Sequence, residues 1–504
     1  MGARERINEH HKSPWGPSSG DQMSAERRIE RHVGCLLAFA ASAVLGACGG
    51  GGGGGAVAPV PVQTVLFPGN DGVHGFELWK SDGTAAGTSI VEDINPGAAS
   101  SEPTVGIPSL TATLSNVTYF SADDGTHGRE LWKTDGTAAG TSIVADLNPG
   151  SAGSSPFNLT AVGNSLLFLA NDTANGWQLW KTDGTAAGTS VVMTSSNLIP
   201  VTPFATIGGT LYYFGYDNNT PRGYAVWKTD GTAAGTAIEM DNINAGAASN
   251  TPPQFLQTIG KFIYFADNDG TSFRLWRIDS TLMLGIVPML WSSPAGPPAS
   301  HIQEMGNAIY FIGPNASNEW ALFRSDGTAN GTAAVATFSA ASAPCGFGLT
   351  AVGSSLYFCA SDGVHGTQLW KSDGSAAGTT AVTSINSGGA GLSFDLGYLT
   401  GLPFLINGSS ICFGANDGTN GLQVWKSDGT AAGTAMITSA AGGMKGFAFS
   451  QSVGGSTYFA ANDGTHGYEL WKTDCTASGT TIVTDLNPGV GDGYDVTGML
   501  NILP

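Results

Sequence analysis

From about residue 62 onward the chain alternates apolar runs of about five to seven residues with clusters of Gly, Asn and Asp. One stretch shows the pattern: Leu159–Val162, the pair Gly163-Asn164, Ser165–Ala170, a turn at Asn171-Asp172, Gln178–Lys181, a turn at Asp183-Gly184, and Ser190–Met193. Apolar runs of this length between turn residues predict four short strands joined by hairpins. Leu179 and Trp180 are neighbours in a strand, so they point to opposite faces, and both are apolar. Such a strand needs cover on both sides.

The same pattern recurs nine times, anchored by Trp79, Trp132, Trp180, Trp227, Trp276, Phe323, Trp370, Trp425 and Trp471 at separations of 46 to 55 residues. A period in that range belongs to propellers and other repeat arrays. Radially arranged four-stranded blades cover each other on both faces. The prediction is therefore an all-β propeller of about nine four-stranded blades over residues 62–504, with the aromatics as core anchors. Two smaller rings, or an open β array, are the alternatives. The ends of the repeat region favour closure. The first unit starts at Val62–Phe67, which matches the second strand of the others, and the last is followed by a surplus apolar segment, Tyr494–Leu503. Together they complete one blade.

Composition adds address and exclusions. The chain has 74 Gly, 24 Pro and 12% charged residues, with 39 acidic against 20 basic side chains. Nucleic acid is excluded as a partner, because neutralising phosphates needs a basic surface. Much of the acidity is turn chemistry. Asp82 and its eight equivalents stand before the hairpin glycine, and Asp71, Asp124, Asp172, Asp217, Asp269, Asp362, Asp417 and Asp463 stand at a second turn. His74, His127, His365 and His466 recur within D-G-x-H-G, which marks a shared turn contact rather than a catalytic base. The lysine or arginine after each anchor, as in Lys80, Lys133, Arg277 and Arg324, is expected to lay its stem over the sheet with its cation near the turn carboxylate. The repeated Asp residues offer oxygen ligands for calcium, but the EF-hand spacing is absent; no cofactor is expected. Cys345, Cys359, Cys412 and Cys475 show no C-x-x-C spacing and read as separate substitutions, Cys475 standing where most copies have Gly.

Residues 1–47 read as an upstream extension and an export signal, with Met23 a second candidate start. Arg27, Arg28 and Arg31 precede an apolar run, Val33–Ala47, too short to span a bilayer as a typical helix. The run ends in Leu45-Gly46-Ala47-Cys48, which resembles the lipobox of bacterial lipoproteins. That resemblance implies a lipid-bearing Cys48 and, with Gly49 following it, an outer-membrane or cell-surface location. Gly49–Gly55 lie within a flexible tether, residues 48–61.

The string E-L-W-K-[ST]-D-G-T-x-x-G-T resembles the bacterial ELWxxDGT repeat family over nearly all of the chain after the signal. The resemblance implies a secreted or envelope repeat protein and carries no catalytic residues. No Walker loop, G-x-S-x-G elbow or H-E-x-x-H occurs. The function expected is a monomeric, envelope-anchored, non-enzymatic binding or scaffold protein, with a glycan or envelope protein as partner. The alternative is a propeller hydrolase or lyase acting on extracellular glycan. A ligand face is expected where units depart from the repeat, roughly residues 213–325, with Arg222, Arg274, Glu319 and Trp320 as candidates.

Overall fold

The computed structural model describes residues 64–105, 110–192, 198–217, 224–240, 253–268, 271–280, 289–293, 302–338, 349–386, 404–445, 447–453, 455–495 and 501–502. The regular elements among them are strands, arranged as nine four-stranded antiparallel sheets in a ring: a nine-blade β-propeller. Blades 2 to 9 span residues 111–145, 157–191, 198–240, 254–293, 303–337, 350–381, 405–436 and 447–484, and blade 1 combines 65–92 with 501–502. Strands within blades 2 to 9 are ordered in space as in sequence. The first strands of several successive blades approach one another, so they lie innermost.

Blade 1 closes the ring. Its strand Val65–Gly69 pairs on one side with Glu77–Ser81 and on the other with Asn501–Ile502, through Val65↔Ile502 and Leu66↔Asn501. Just upstream, Tyr494 bridges to Gly69, is 1% exposed, and stacks on Phe67 with ring centroids 5.8 Å apart. The missing first strand is thus supplied by the far end of the chain, which pairs the edge that Val65–Gly69 would otherwise expose.

The core lies in the seams between blades. In the third strand of blade 1, Leu78 packs toward blade 2 with Phe120 and Trp132, while Trp79 packs toward blade 9 with Tyr458 and Leu470. Neighbours along one strand therefore serve two different seams. Among the anchors, Trp79, Trp132 and Phe323 are 8%, 9% and 7% exposed, and the other six are partly buried.

Polar residues of the repeat also cross seams. Lys80 donates to the carbonyl of Gly136 at 3.0 Å, Lys133 to that of Gly184 at 2.8 Å, and Lys472 to that of Gly83 at 2.7 Å. Each cation lies near a turn carboxylate, as expected, but the turn is that of the following blade. The last of these contacts ties blade 9 to blade 1. The reading of the cysteines as separate substitutions is corrected: Cys412 and Cys475 form a disulfide with Cα atoms 5.9 Å apart, and Cys359 is disulfide-bonded as well. Positions 63 residues apart in sequence meet because neighbouring blades repeat the same geometry side by side.

Candidate functional site

In an antiparallel blade the first-to-second and third-to-fourth turns fall at one end, while the second-to-third turns and the connections to the next blade fall at the other. The ring therefore has two faces of different construction.

On the first face, the third-to-fourth hairpin holds seven residues in every blade except blade 5, where nine lie between Asp279 and Met289. The regular hairpin is a closed hydrogen-bond circuit. Asp82 accepts from the backbone N–H and hydroxyl of Thr84 at 2.9 and 2.7 Å, and the Thr84 hydroxyl accepts from Gly87 N–H. Ser81 meets Thr88 across the hairpin at 2.7 Å. The circuit recurs at Asp135, Asp183, Asp230, Asp326, Asp373, Asp428 and Asp474. The hydroxyl bond first, then the backbone bond, holds these carboxyls below the usual carboxylate range. In blade 5 Asp279 instead pairs with Lys261.

On the second face, connections between blades range from the six residues between Val191 and Leu198 to the 23 between Ala381 and Leu405. Two devices hold it. In the D-G-x-H-G turns, Asp71 accepts from the backbone of Val73 and His74, and its second oxygen meets His74 Nδ1 at 2.8 Å. The same set forms at Asp124–His127, Asp362–His365 and Asp463–His466, while Asn175 and Asn420 replace the histidine toward Asp172 and Asp417. The carboxylate contact raises His74 and His127, and backbone donors outweigh burial to lower Asp71 and Asp124.

The second device escaped the sequence reading. In five blades the residue two places before the anchor clamps the following connection. Glu77 accepts from Ile94 N–H, Ser101 N–H and the Ser101 hydroxyl at 2.8, 2.8 and 2.6 Å. Glu130 and Glu469 hold their own connections through Leu147, Asn148 and Ser154, and through Leu486 and Gly493. All three are 0% exposed. Burial raises Glu77 to about 7 and Glu469 to about 8 despite these donors, and raises Glu130 too. Gln368 and Gln423 do the same work toward Ile385 and Ala440. The signal was present as the interchange of Glu and Gln at one repeat position: the group required is a long side chain with a carbonyl-type oxygen, charged or not.

The predicted ligand residues fall on this second face, where they are described. Arg274 occupies the clamp position of blade 5 and makes a bidentate pair with the buried Asp267, which also accepts from Trp276 Nε1 at 2.8 Å. Arg274 additionally lies 5.2 Å from the Trp276 ring. Trp320 begins the third strand of blade 6 and packs against the blade 6–7 core with Leu322, Phe338 and Phe358. Glu319, beside it, accepts from the Asn315 amide at 3.0 Å and is exposed. Arg222 lies outside the described residues, as does Cys48. Trp276 and Trp320 thus face core seams, Arg274 is bound to a carboxylate, and Glu319 projects at the rim. Among the described residues, no group of three or more His, Cys, Asp or Glu is placed to hold a metal ion, and no helix is long and apolar enough to cross a membrane.

No protein-family model matches the chain, and no curated protein matches it. Among solved structures it is similar to a prolyl endopeptidase, at TM-score 0.39 and 11% identity, over 70% of this chain and 53% of that one. A puromycin hydrolase aligns at TM-score 0.35 and 9% identity, over 72% and 59%. A chain of a nidogen/laminin complex aligns at TM-score 0.28 and 14% identity, over 55% and 93%. The chain spans about half to three-fifths of the length of the two enzymes.

Proposed function

We propose that this protein is an envelope-anchored, non-enzymatic binding or scaffold propeller, held to the membrane by a lipid on Cys48 and reaching its partner through the second face. The observation that carries the binding role is the contrast between the faces. One repeats a seven-residue hairpin in all but one blade, while the other varies its connections from six to 23 residues over the same framework. Loop variation on a regular scaffold is how repeat proteins build binding surfaces. Most of the repeated Asp, Thr, His, Glu and Gln side chains are occupied in holding turns and connections. The anchor rests on the L-G-A-C sequence and the basic, apolar segment before it, and the repeat string itself resembles the envelope-associated ELWxxDGT proteins.

Two experiments test this reading. Labelled palmitate should enter the wild-type chain and not Cys48→Ala; equal labelling removes the anchor. For the ligand face, purified protein is incubated with envelope glycan and with solubilised envelope proteins. Retention should fall at least about tenfold on joint replacement of Arg222 and Glu319 by Ala, and not on matched replacement in blade 2; tenfold corresponds to about 1.4 kcal/mol. Loss only in the blade 2 set places the partner elsewhere, and turnover of the glycan overturns the non-enzymatic role.

A further inference from the structure

In four seams a tyrosine on the second strand of one blade lies against the hairpin glycine of the next: Tyr119 against Gly184, Tyr310 against Gly374, Tyr357 against Gly429, and Tyr458 against Gly83. In each case a Cβ on the glycine would overlap the tyrosine hydroxyl. Strand register identifies the equivalent positions elsewhere. Tyr119 stands opposite Lys133 and Tyr458 opposite Lys472, while Cys412 stands opposite Lys426. Cys412 is therefore the tyrosine position of blade 8. Cys475, between Asp474 and Thr476, is the glycine position of blade 9, and it keeps the left-handed backbone of that glycine, with φ of 65° against 86° at Gly83. A side chain with a Cβ is unfavourable there. Both members of one contact pair have changed, and both to the residue that can bond across the gap.

We propose that the Cys412–Cys475 disulfide is a covalent substitute for the tyrosine–glycine seam contact, and that it makes the seating of blade 9 depend on an oxidising compartment. The compartment clause rests on the envelope location proposed above; the seam role does not. In the bond-forming step each thiol gives up its hydrogen. The S–S bond of a thiol-oxidising protein breaks as the Cys412–Cys475 bond forms, and its two sulfurs take up the two electrons and the two protons, leaving that protein with two thiols.

The surroundings fit a lock. Blade 9 meets blade 1 through Lys472 and the Tyr458–Gly83 contact, and blade 1 is itself completed only by the chain's last strand. On its other side it meets blade 8 through a cluster containing Leu405, Val424, Phe459 and the two cysteines, and through Asn407, which donates to the carbonyl of Asp474 at 2.6 Å. With tyrosine replaced by a smaller side chain at this seam, the covalent bond stands where ring packing stands in four others. Cys412 is 0% and Cys475 5% exposed, so a soluble thiol reaches the bond only when the seam opens. That makes it a lock set during folding rather than a rapid switch.

The test compares three full-length proteins, all carrying Cys359→Ala because Cys359 is disulfide-bonded too. They are the parent, Cys412→Ser/Cys475→Ser, and Cys412→Tyr/Cys475→Gly. Each is melted as isolated from the envelope and again after unfolding and refolding in reductant. The oxidised parent should lose about 5 °C on reduction, and the serine pair should melt with the reduced parent under both conditions. The tyrosine–glycine pair should melt within about 2 °C of the oxidised parent and ignore reductant. A serine pair as stable as the oxidised parent overturns the lock, and a tyrosine–glycine pair no better than the serine pair overturns the equivalence. Free thiols at both positions in protein isolated from the envelope overturn the oxidation. If the palmitate experiment fails while these melting results hold, only the compartment clause falls.

Discussion

The two faces of the ring are built on one set of blades and obey different rules. On the hairpin face each regular turn has the same length, the same Asp–Thr–Gly circuit, and in many seams a direct contact with the neighbouring blade. On the connection face the chain is fastened at a few points, the Asp–His turns and the buried Glu or Gln clamps, and its length between them is free to change. Variation is therefore tolerated on one face and not on the other. A hairpin that packs into the next blade cannot lengthen without disturbing the seam. Blade 5 departs from the repeat in its hairpin sequence, and at the seam before it Lys228 of blade 4 pairs with Glu239 of its own blade at 2.7 Å. A connection clamped only at its ends can lengthen outward into solvent.

The largest perturbation removes what both faces presuppose. Truncation before Tyr494 should strip the inner strand from blade 1, expose the edge of Val65–Gly69 and delete a fully buried aromatic. We expect self-association by light scattering and a melting temperature at least about 10 °C lower. A monomer with unchanged melting would contradict closure.

Next, equivalent substitutions should cost different amounts on the two faces. Gly83 has φ of 86°, and an added Cβ meets the Tyr458 hydroxyl of the neighbouring blade, whereas Gly97, at φ of 102° on a connection, has open space around it. Gly83→Ala should destabilise by about 3 kcal/mol and Gly97→Ala by about 1 kcal/mol, the second from backbone strain alone. Urea unfolding measures both, and equal costs would erase the proposed contrast.

The clamps sharpen the picture through pH. Glu469 is raised from its unfolded value, near 4.5, to about 8. Between those values the folded state holds a proton that the unfolded state has lost, so stability falls as pH rises across the window. Glu469→Gln keeps a hydrogen-bonding oxygen, as Gln368 and Gln423 do, and removes the titration. It should stabilise by about 2 kcal/mol at pH 8 and be nearly neutral at pH 4.5, measured by denaturant unfolding at both. A loss of stability at pH 8 would mean that the ionised form is the one the fold prefers.

The smallest effect concerns the histidines. His74→Asn reproduces the pairs that Asn175 and Asn420 make, and should move the melting temperature by less than about 1 °C at pH 7. Because His74 is raised in the folded state, its contribution is complete below the unfolded value near 6.5 and fades as pH rises through the folded one. The Asn variant should lose that dependence in a melting series from pH 5 to 8.

Most of the fold is legible in the sequence because it is periodic. The alternation of runs and turns places four strands in a unit, adjacent Leu179 and Trp180 demand two buried faces, and the incomplete first unit with the surplus Tyr494–Leu503 specifies closure. Histidines repeated in one turn announce a turn contact, which His74 Nδ1 makes. The site was harder to read. Departure from the repeat singled out Arg274 and Trp320, but a non-repeating residue satisfies a non-repeating neighbour as readily as it binds a ligand: Arg274 answers Asp267, and Trp320 fills the seam against Phe338.

What the sequence determined by itself are the properties local to one repeat: strand length, turn chemistry, the anchor aromatics and the number of units, all set by short-range periodicity and backbone preference. Tertiary structure alone decided what happens across seams. It made Lys472 a partner of Gly83, buried Glu77 and Glu469 far enough to raise their carboxyls well above the usual range, and brought Cys412 to Cys475. The physical reason is that a seam joins equivalent positions from different repeats. A bond, a clash or a buried charge there depends on the pair of residues that ring geometry brings together, and one copy of the repeat contains only half of each pair.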